Sequence, residues 1–166
     1  APSHLIDLQG LDALKGVSED GGDIVIGALV TQTEVLDSGL LADKCPILGE
    51  AAAVIADPQV RYCGTIGGNV AHADPASDLP TVLTVMDAKF TIQGRGGITS
   101  RGTRTVSADD FFTGPFETVL AENEILTAIE LPVLAENQHA EYAKMAHPAT
   151  SFAVVGAGIV VTVVNN

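Results

Sequence analysis

The sequence has 166 residues, of which 46% are hydrophobic, and it carries a formal net charge of −13 at pH 7. A chain of this length and apolar content can bury the core of one globular domain, which excludes a disordered protein. The acidic balance disfavours a nucleic-acid partner, which would need a basic surface, and implies that backbone dipoles would hold an anionic ligand.

The first third of the chain mixes strand and helix patterns. Residues 5–8 and 23–28 are predicted strands, and a helical turn is predicted between them over residues 11–15. Thr31 and Glu34 have the spacing of a capping box, which predicts that a helix begins after Thr31. The predicted order of elements is therefore strand, short helix, strand and helix.

Three more helices are predicted before the chain changes character. An alanine-rich apolar helix spans residues 46–56, and Asp57 ends it and caps a short helix over residues 59–62. A third helix begins at residues 77–80. Its predicted buried face consists of Leu79, Val82, Leu83 and Met86.

The second half is predicted to be mainly β structure. A turn at residues 94–97 joins two of its strands, and Ser107 caps a short helix that carries Phe111 and Phe112. The sequence therefore predicts an α+β fold with a mostly antiparallel sheet. The predicted strands span residues 89–94, 98–106, 124–132 and 140–145.

Residues 64–69, with the sequence Gly-Thr-Ile-Gly-Gly-Asn, are the strongest candidate for a ligand site. Their glycine spacing fits neither a Walker loop nor the dinucleotide fingerprint. Adjacent glycines let a ligand approach the backbone, and consecutive amide N–H groups can form an anion-binding nest near a helix start. Thr65 and Asn69 would add side-chain hydrogen bonds. Taken alone, the pattern is also typical of a tight turn.

This segment and several others, in the same order, resemble the flavoprotein subunit of molybdenum hydroxylases. The family includes the medium subunit of carbon monoxide dehydrogenase and the flavin domain of xanthine dehydrogenase. The resemblance covers nearly the whole chain and implies the FAD-binding subdomain of the PCMH-type flavin fold, a five-stranded, mostly antiparallel sheet with flanking helices. The matching motifs lie at residues 5–8, 26–31, 55–61, 64–69, 73–78, 110–114 and 124–132.

The resemblance also implies an extended FAD. Residues 65–69 would surround its pyrophosphate, Asp78 would accept hydrogen bonds from its hydroxyl or amide groups, and Lys144 would lie close to the flavin. Tyr142 would either stack on the ring or point into the core. The implied cofactor-binding residues are Ile55, Thr65, Ile66, Gly67, Gly68, Asn69, Asp78, Ile125, Leu126 and Lys144, of which Ile55, Ile125 and Leu126 would contact the ring. No catalytic or metal-binding residue is implied.

The implied function is that of an FAD-binding component of a molybdenum hydroxylase, most similar to carbon monoxide dehydrogenase. Electrons would pass from iron–sulfur clusters through FAD to an external acceptor. Molybdopterin and 2Fe–2S clusters would lie on partner chains, a large and a small subunit, in a dimer of heterotrimers. The two cysteines, Cys45 and Cys63, are too few to hold such a cluster and indicate reduced thiols in the cytoplasm. No apolar run is long enough to span a membrane, so attachment to its inner face would depend on partners.

Residues 1–138 would form the central FAD-binding subdomain, and residues 139–166 would begin a C-terminal flavoprotein domain. Compared with the family, the chain lacks an N-terminal subdomain with a second glycine loop and most of the C-terminal domain. We therefore expect a protein truncated at both ends that binds FAD weakly or not at all.

Two other functions remain open, namely a docking module that has lost FAD and a single-component flavin oxidoreductase.

His72 and Asp74 resemble a metal pair but have no third ligand in register. Ser77, with His72 and Asp78, supplies the residue types of a hydrolase triad without a nucleophile elbow. Residues 156–158 contain two glycines but favour a strand over a nucleotide fingerprint.

Overall fold

A computed structural model describes residues 3–94 and 102–164 of the chain. Within these ranges a five-stranded sheet is covered by short helices, and two further pairs of strands form separate sheets. The strands are β1 (Val17–Asp20), β2 (Asp23–Gly27), β3 (Lys89–Gly94), β4 (Thr103–Ser107), β5 (Phe112–Gly114), β6 (Glu117–Thr118), β7 (Glu124–Pro132), β8 (Gln138–Ala146) and β9 (Ala153–Thr162). The helices are α1 (Gln32–Asp37), α2 (Gly39–Lys44), α3 (Pro46–Ala53), α4 (Pro58–Cys63), α5 (Ile66–His72), α6 (Asp78–Val85) and α7 (Ala108–Phe111).

The five-stranded sheet has the order β1-β2-β7-β3-β4, and each neighbouring pair is antiparallel. Its central strand, β7, contains a bulge. Thr91 of β3 pairs with Ala128, whereas the next residue, Ile92, pairs with Leu126, so that Thr127 is left out of the register. A bulge changes which face the following side chains take. Leu126 and Ile129, three residues apart, are therefore both buried. The predicted α+β class and antiparallel sheet are confirmed.

The helices pack through apolar faces that are evident in the sequence. In α6, Leu79, Val82 and Leu83 are fully buried, and Met86 just beyond its end is 2% exposed, so the predicted buried face is confirmed. Helix α3 likewise buries Ile47, Leu48, Ala51 and Ala52. These side chains and those of the sheet form one continuous core.

Local capping interactions fix where several helices begin. The Thr31 side chain accepts a hydrogen bond from the Glu34 amide at 3.1 Å, and the Glu34 carboxylate accepts one from the Thr31 amide at 2.7 Å. The predicted capping box is therefore present. Asp57 caps α4 by accepting from the Val60 amide at 3.0 Å, and Ser107 caps α7 as predicted.

Two predictions near the start of the chain are wrong, and two elements there were not predicted. Residues 5–8 form no strand, because Leu5 and Ile6 are 90% and 84% exposed and pair with nothing. The antiparallel partner of β2 is instead β1, whose polar sequence Val-Ser-Glu-Asp carries no strand pattern. Helix α2 was not predicted, and α3 ends at Ala53 rather than at residue 56.

In the second half, β3, β7, β8 and α7 lie where strands and a short helix are predicted. Phe112 belongs to β5 rather than to the helix. The predicted turn at residues 94–97 and the beginning of the predicted strand at residue 98 fall largely outside the described residues. Strand β9 contains Gly156 and Gly158, which confirms the prediction of a glycine-containing strand.

Strands β8 and β9 form a hairpin that packs on α3 and α6. On the face of this hairpin away from the helices, the β9 side is apolar and open to solvent, with Val155 58% and Ile159 54% exposed. The hairpin therefore contributes one face to the main body and leaves the other uncovered.

Candidate functional site

Residues 64–69 are the start of helix α5 rather than a loop. Thr65 is the N-cap, and its hydroxyl oxygen accepts a hydrogen bond from the Gly68 amide at 3.0 Å. The helix meets α1 through an isolated β-bridge between Thr31 and Thr65. This bridge places the first residues of the two helices side by side.

Most amide groups of this segment are already bonded within the protein. The Ile66 and Gly67 amides donate to the carbonyls of Val30 and Ala28, both at 2.9 Å. The Asn69 amide donates to the Thr65 carbonyl at 3.0 Å. The predicted nest of free consecutive amides is therefore wrong, since these donors satisfy the packing of α5. The Thr65 hydroxyl hydrogen remains available as a donor, because the Thr65 oxygen acts as an acceptor in the cap.

The two glycines of α5 have different roles. A Cβ on Gly67 would lie 2.5 Å from the Ala28 Cβ and 2.6 Å from the Ala28 carbonyl oxygen, so glycine is required for helix packing. A Cβ on Gly68 would meet only the Thr65 hydroxyl oxygen, at 2.9 Å. Gly68 is exposed, and its missing side chain leaves the first turn of the helix accessible.

Two grooves flank α5. The lysine groove has a volume of about 250 Å³ and is lined by Gln32, Ile55, Ala56, Val60, Asn69, His72, Asp74, Ala76, Ser77, Asp78, Lys144, Thr150, Ser151 and Phe152. The leucine groove has a volume of about 270 Å³ and is lined by Leu8, Leu14, Ala28, Leu29, Thr65, Gly67, Gly68, Ala71, Leu120, Glu124, Ile125 and Leu126. Different residues of the same short helix thus line the two grooves.

A buried ionic network forms one wall of the lysine groove. The Lys144 ammonium donates to the Asp78 carboxylate at 2.8 Å, and the side chains of the pair are only 4% and 5% exposed. The Tyr142 hydroxyl donates to the other oxygen of Asp78 at 2.6 Å. Burial is the main cause that raises the pKa of Tyr142 well above its usual range. The hydrogen bond to Asp78 and the negative charge of Asp78 raise it further. The phenol therefore remains protonated and acts as a donor.

Two cations hold the turn after α3. Lys144 also donates to the Val54 carbonyl at 2.9 Å, and Arg61 donates to the Ile55 carbonyl at 2.6 Å. The next residue, Ala56, has a φ of 39° in the left-handed region. Cations suit this position because the last carbonyls of a helix carry a partial negative charge. The turn presents Ile55 to the lysine groove.

The glycines of β9 allow the hairpin to reach this network. A Cβ on Gly156 would lie 2.5 Å from the Tyr142 hydroxyl oxygen, and a Cβ on Gly158 would lie 3.0 Å from Val85 of α6. Tyr142 is a residue of this hairpin, and its side chain is buried. Of its two predicted positions, the structure therefore shows the one in the core. Lys144 is likewise a buried lysine, although a surface position would be usual for this residue type.

The leucine groove is almost entirely apolar. Ile125 is 43% exposed in it, whereas Leu126 is 5% exposed and reaches the core. Strand β7 is the central strand of the sheet. However, the pairing of β7 with β2 begins only at Ala128, and residues 125–126 project beyond the end of β2. Their side toward β2 is therefore unpaired.

The structure divides the predicted cofactor residues between these grooves. Ile55, Asn69, Asp78 and Lys144 line the lysine groove, whereas Thr65, Gly67, Gly68, Ile125 and Leu126 line the leucine groove. Ile66 is fully buried in the core between them. A single planar ring bound in one groove therefore does not contact the predicted residues of the other groove.

Sequence reasoning missed Gln32, Arg61 and Phe152. Gln32 and Phe152 line the lysine groove, and Arg61 fixes its rim. Arg61 lies in a motif that matches the family, so the sequence contained a signal for it. The carbonyl groups that it binds could not be identified from the sequence. No pattern marked Gln32, because its position follows from contact with Gly64.

The alternative chemical sites are not assembled. Among the described residues, no group of three or more His, Cys, Asp and Glu side chains is arranged to hold a metal ion. The Ser77 hydroxyl donates to the Asn69 amide oxygen at 2.7 Å, and His72 contacts the ring of Phe116. These contacts give Ser77 a structural partner other than the histidine.

Comparisons with known proteins identify the family of the chain. Residues 1–134 match the family described as the FAD binding domain in molybdopterin dehydrogenase. The chain is 39% identical, over 97% of its length, to the carbon monoxide dehydrogenase medium chain of Afipia carboxidovorans, of which it covers 54%. It is 34% identical, over its whole length, to the glyceraldehyde dehydrogenase medium chain of Sulfolobus acidocaldarius, of which it covers 57%.

Solved structures show the same similarity. A cyanide-inactivated Cu,Mo-CO dehydrogenase matches with a TM-score of 0.91 and 39% identity, over 98% of this chain and 55% of that chain. Quinoline 2-oxidoreductase from Pseudomonas putida 86 matches with a TM-score of 0.87 and 34% identity, over 95% of this chain and 53% of that chain. The chain spans about half the length of the curated relatives that it matches.

None of the helices in the described ranges has both the length and the apolar character needed to cross a membrane.

Proposed function

The chain belongs to the family of FAD binding domains in molybdopterin dehydrogenase, and from this premise we propose that it is the FAD-binding part of a flavoprotein component of a molybdenum hydroxylase. The single observation that carries the proposal is the pair of grooves on the two faces of α5, which together contain nearly all the residues expected to bind the cofactor.

The residues present fit FAD on three structural grounds. Gly68 leaves the first turn of α5 open, and Thr65 keeps a hydroxyl donor there. The side-chain oxygen of Asn69 accepts a hydrogen bond from the Ser77 hydroxyl. The side-chain nitrogen of Asn69 is then left as an unused donor at the groove. The Lys144 ammonium has three N–H donors and uses two of them, for Asp78 and the Val54 carbonyl. These donors suit a ligand that is rich in acceptors.

We infer a division of roles between the grooves. Ile55 supplies an apolar contact for the flavin ring in the lysine groove, where Lys144 supplies a positive charge. Thr65 and Asn69 hold the pyrophosphate at the start of α5, and Ile125 and Leu126 contact the opposite end of an extended cofactor. Bound FAD supplies the ability to store and release electrons. The protein residues bind it, orient it and set the charge around it.

Asp78 has a different role from the one first expected. Both of its oxygens are engaged, one by Tyr142 and the other by Lys144. We propose that the carboxylate acts mainly by holding the Lys144 ammonium in position, because a charge buried this deeply needs a fixed partner. Any contact between Asp78 and a cofactor hydroxyl would use the remaining lone pairs.

We further propose that the component receives electrons from iron–sulfur clusters of a small subunit and passes them to an external acceptor. A large subunit would hold molybdopterin, and the assembly would be a dimer of heterotrimers in the cytoplasm. The similarity to chains named as medium chains of dehydrogenases supports a complex of several subunits. The carbon monoxide dehydrogenase type is the favoured one because both identity and TM-score support it.

The proposed division at residue 138 places the hairpin β8–β9 in a second domain. It is supported by the family match, which stops at residue 134, and by the apolar outer face of the hairpin. Lys144 and Tyr142 then belong to that second domain while completing a groove of the first. This arrangement would make cofactor binding depend on both domains.

Titration of the FAD-depleted, full-length protein with FAD, followed by flavin fluorescence, tests the proposed function. We expect stoichiometric binding and a yellow complex. Asn69→Leu should weaken binding about tenfold through the loss of one hydrogen bond to a charged group, whereas Gln59→Leu, an exposed change on α4, should leave it unchanged. Absence of FAD binding by the full-length protein would contradict the proposal.

A further inference from the structure

Gln32 is a buried polar residue whose side chain has no partner. The residue is 3% exposed, and its amide oxygen Oε1 is fully buried without a hydrogen bond. The nitrogen Nε2 also makes no hydrogen bond with any described residue. Nearly all buried polar groups in native proteins are paired, so each exception requires an explanation. Gln32 is one of the residues that line the lysine groove, so a molecule bound there is the nearest candidate partner for its carboxamide.

The position of this carboxamide is fixed by its surroundings. The Gln32 amide donates to the Gly64 carbonyl at 2.8 Å, which holds the backbone at the start of α1. A Cβ on Gly64 would lie 3.1 Å from both Nε2 and Oε1 of the Gln32 side chain. The absence of a side chain at residue 64 therefore makes room for the carboxamide. The fixed backbone and the burial of the side chain reduce the ordering that binding would require.

The hydrogen-bonding groups left unused in the lysine groove have a definite composition. Gln32 Oε1 is an acceptor, whereas Gln32 Nε2, Asn69 Nδ2 and the third N–H of Lys144 are donors. One acceptor thus accompanies several donors. The complementary ligand edge presents one N–H between two carbonyl groups.

We propose that Gln32 is a cofactor-binding residue whose carboxamide pairs with the imide edge of the flavin ring, where N3–H lies between two carbonyls. This inference rests on the proposed function, with the ring in the lysine groove. Either orientation of the carboxamide pairs equally well, because the imide edge has a carbonyl on each side of its N–H. A carboxamide can also pair with an adenine edge, which presents a donor beside an acceptor. That edge offers no second carbonyl to the further donors of Asn69 and Lys144, whereas the imide edge does.

The test compares FAD with its N3-methyl analogue, in which the ring cannot donate from N3. The full-length protein, depleted of FAD, is titrated with each compound, and Gln32→Met serves as the main variant because methionine is similarly long and unbranched. We expect the wild type to prefer FAD about tenfold, and Gln32→Met to bind FAD about tenfold more weakly and to lose that preference. Gln59→Met, at an exposed position on α4, should keep the wild-type preference.

A second variant covers the case in which Gln32→Met does not fold. Gly64→Ala keeps the glutamine but crowds its carboxamide, and it should reduce the preference for FAD by displacing that group. The absorption spectrum of bound flavin gives an independent readout, since loss of the N3 hydrogen bond shifts its bands. An unchanged preference and spectrum in both variants would overturn the inference alone. Failure of the wild type to bind FAD would overturn the proposed function as well.

Discussion

The lysine groove and the leucine groove are lined by different residues of α5, and different forces maintain them. In the lysine groove, a buried carboxylate, a lysine and a tyrosine join a hairpin to the body of the protein over more than 60 residues of sequence. In the leucine groove, apolar side chains pack against a helix whose Gly67 touches the Ala28 backbone. One groove therefore depends on matched charges and the other on close packing.

This difference indicates how each groove should respond to mutation. A buried charge that loses its partner keeps its full desolvation cost. Removal of one charge from the lysine groove should therefore cause a large loss of stability. A packed apolar wall loses stability in proportion to the volume gained or lost. Side-chain changes of similar size should therefore have unequal effects on the two sides of α5.

The largest effect is expected for Lys144→Met. The change leaves Asp78 buried with only Tyr142 as a partner, and it should lower the free energy of unfolding by about 3–5 kcal/mol in a urea titration. The matched control is Lys15→Met, which removes an exposed pair with Asp12 at 2.9 Å. Exposed pairs contribute little. Equal losses in the two variants would show that the buried network is not special.

A smaller effect is expected for Gly67→Ala on the other side of the helix. The added Cβ would overlap the Ala28 backbone and should lower the free energy of unfolding by about 2–3 kcal/mol. Gly49→Ala is the control, because a Cβ there meets nothing within 4 Å in the middle of α3. That change should raise the stability by about 0.5–1 kcal/mol. Thermal or urea unfolding of the pair distinguishes a packing glycine from a replaceable one.

The smallest expected effect is the coupling between Gly156 and Tyr142. Gly156→Ala should lower the free energy of unfolding by about 1–2 kcal/mol, because the new Cβ meets the tyrosine hydroxyl. In a Tyr142→Phe background, where that oxygen is absent, the same change should cost about 1 kcal/mol less. Additive losses in the double-mutant cycle would place the role of Gly156 elsewhere in the hairpin.

Local sequence signals predicted those parts of the fold that depend on neighbouring residues. The capping box at Thr31, the cap at Asp57 and the buried face of α6 all follow from spacings of four residues or fewer. Strand β1 was missed because its residues are mostly polar and exposed, and only its pairing with β2 identifies it. Short-range patterns carry no information about such pairing.

The candidate site shows the same limit. The resemblance to a known family identified Asp78 and Lys144, but not that they bind one another across 66 positions of the chain. The glycine pattern suggested free amides, whereas tertiary contacts with Val30 and Ala28 occupy them. Gln32 has no sequence signal, because its unpaired state depends on where Gly64 lies in space.

The turn held by Arg61 and Lys144 has a consequence for binding entropy. Its three carbonyls, from Val54 to Ala56, accept hydrogen bonds from cations that belong to two separate elements. The backbone that carries Ile55, a residue only 9% exposed, is therefore held when the protein folds rather than when a ligand arrives. Ordering a side chain at the moment of association costs about 0.5–1.5 kcal/mol. A contact surface that is already rigid avoids that cost, so that affinity at this wall of the groove depends on shape rather than on adaptation.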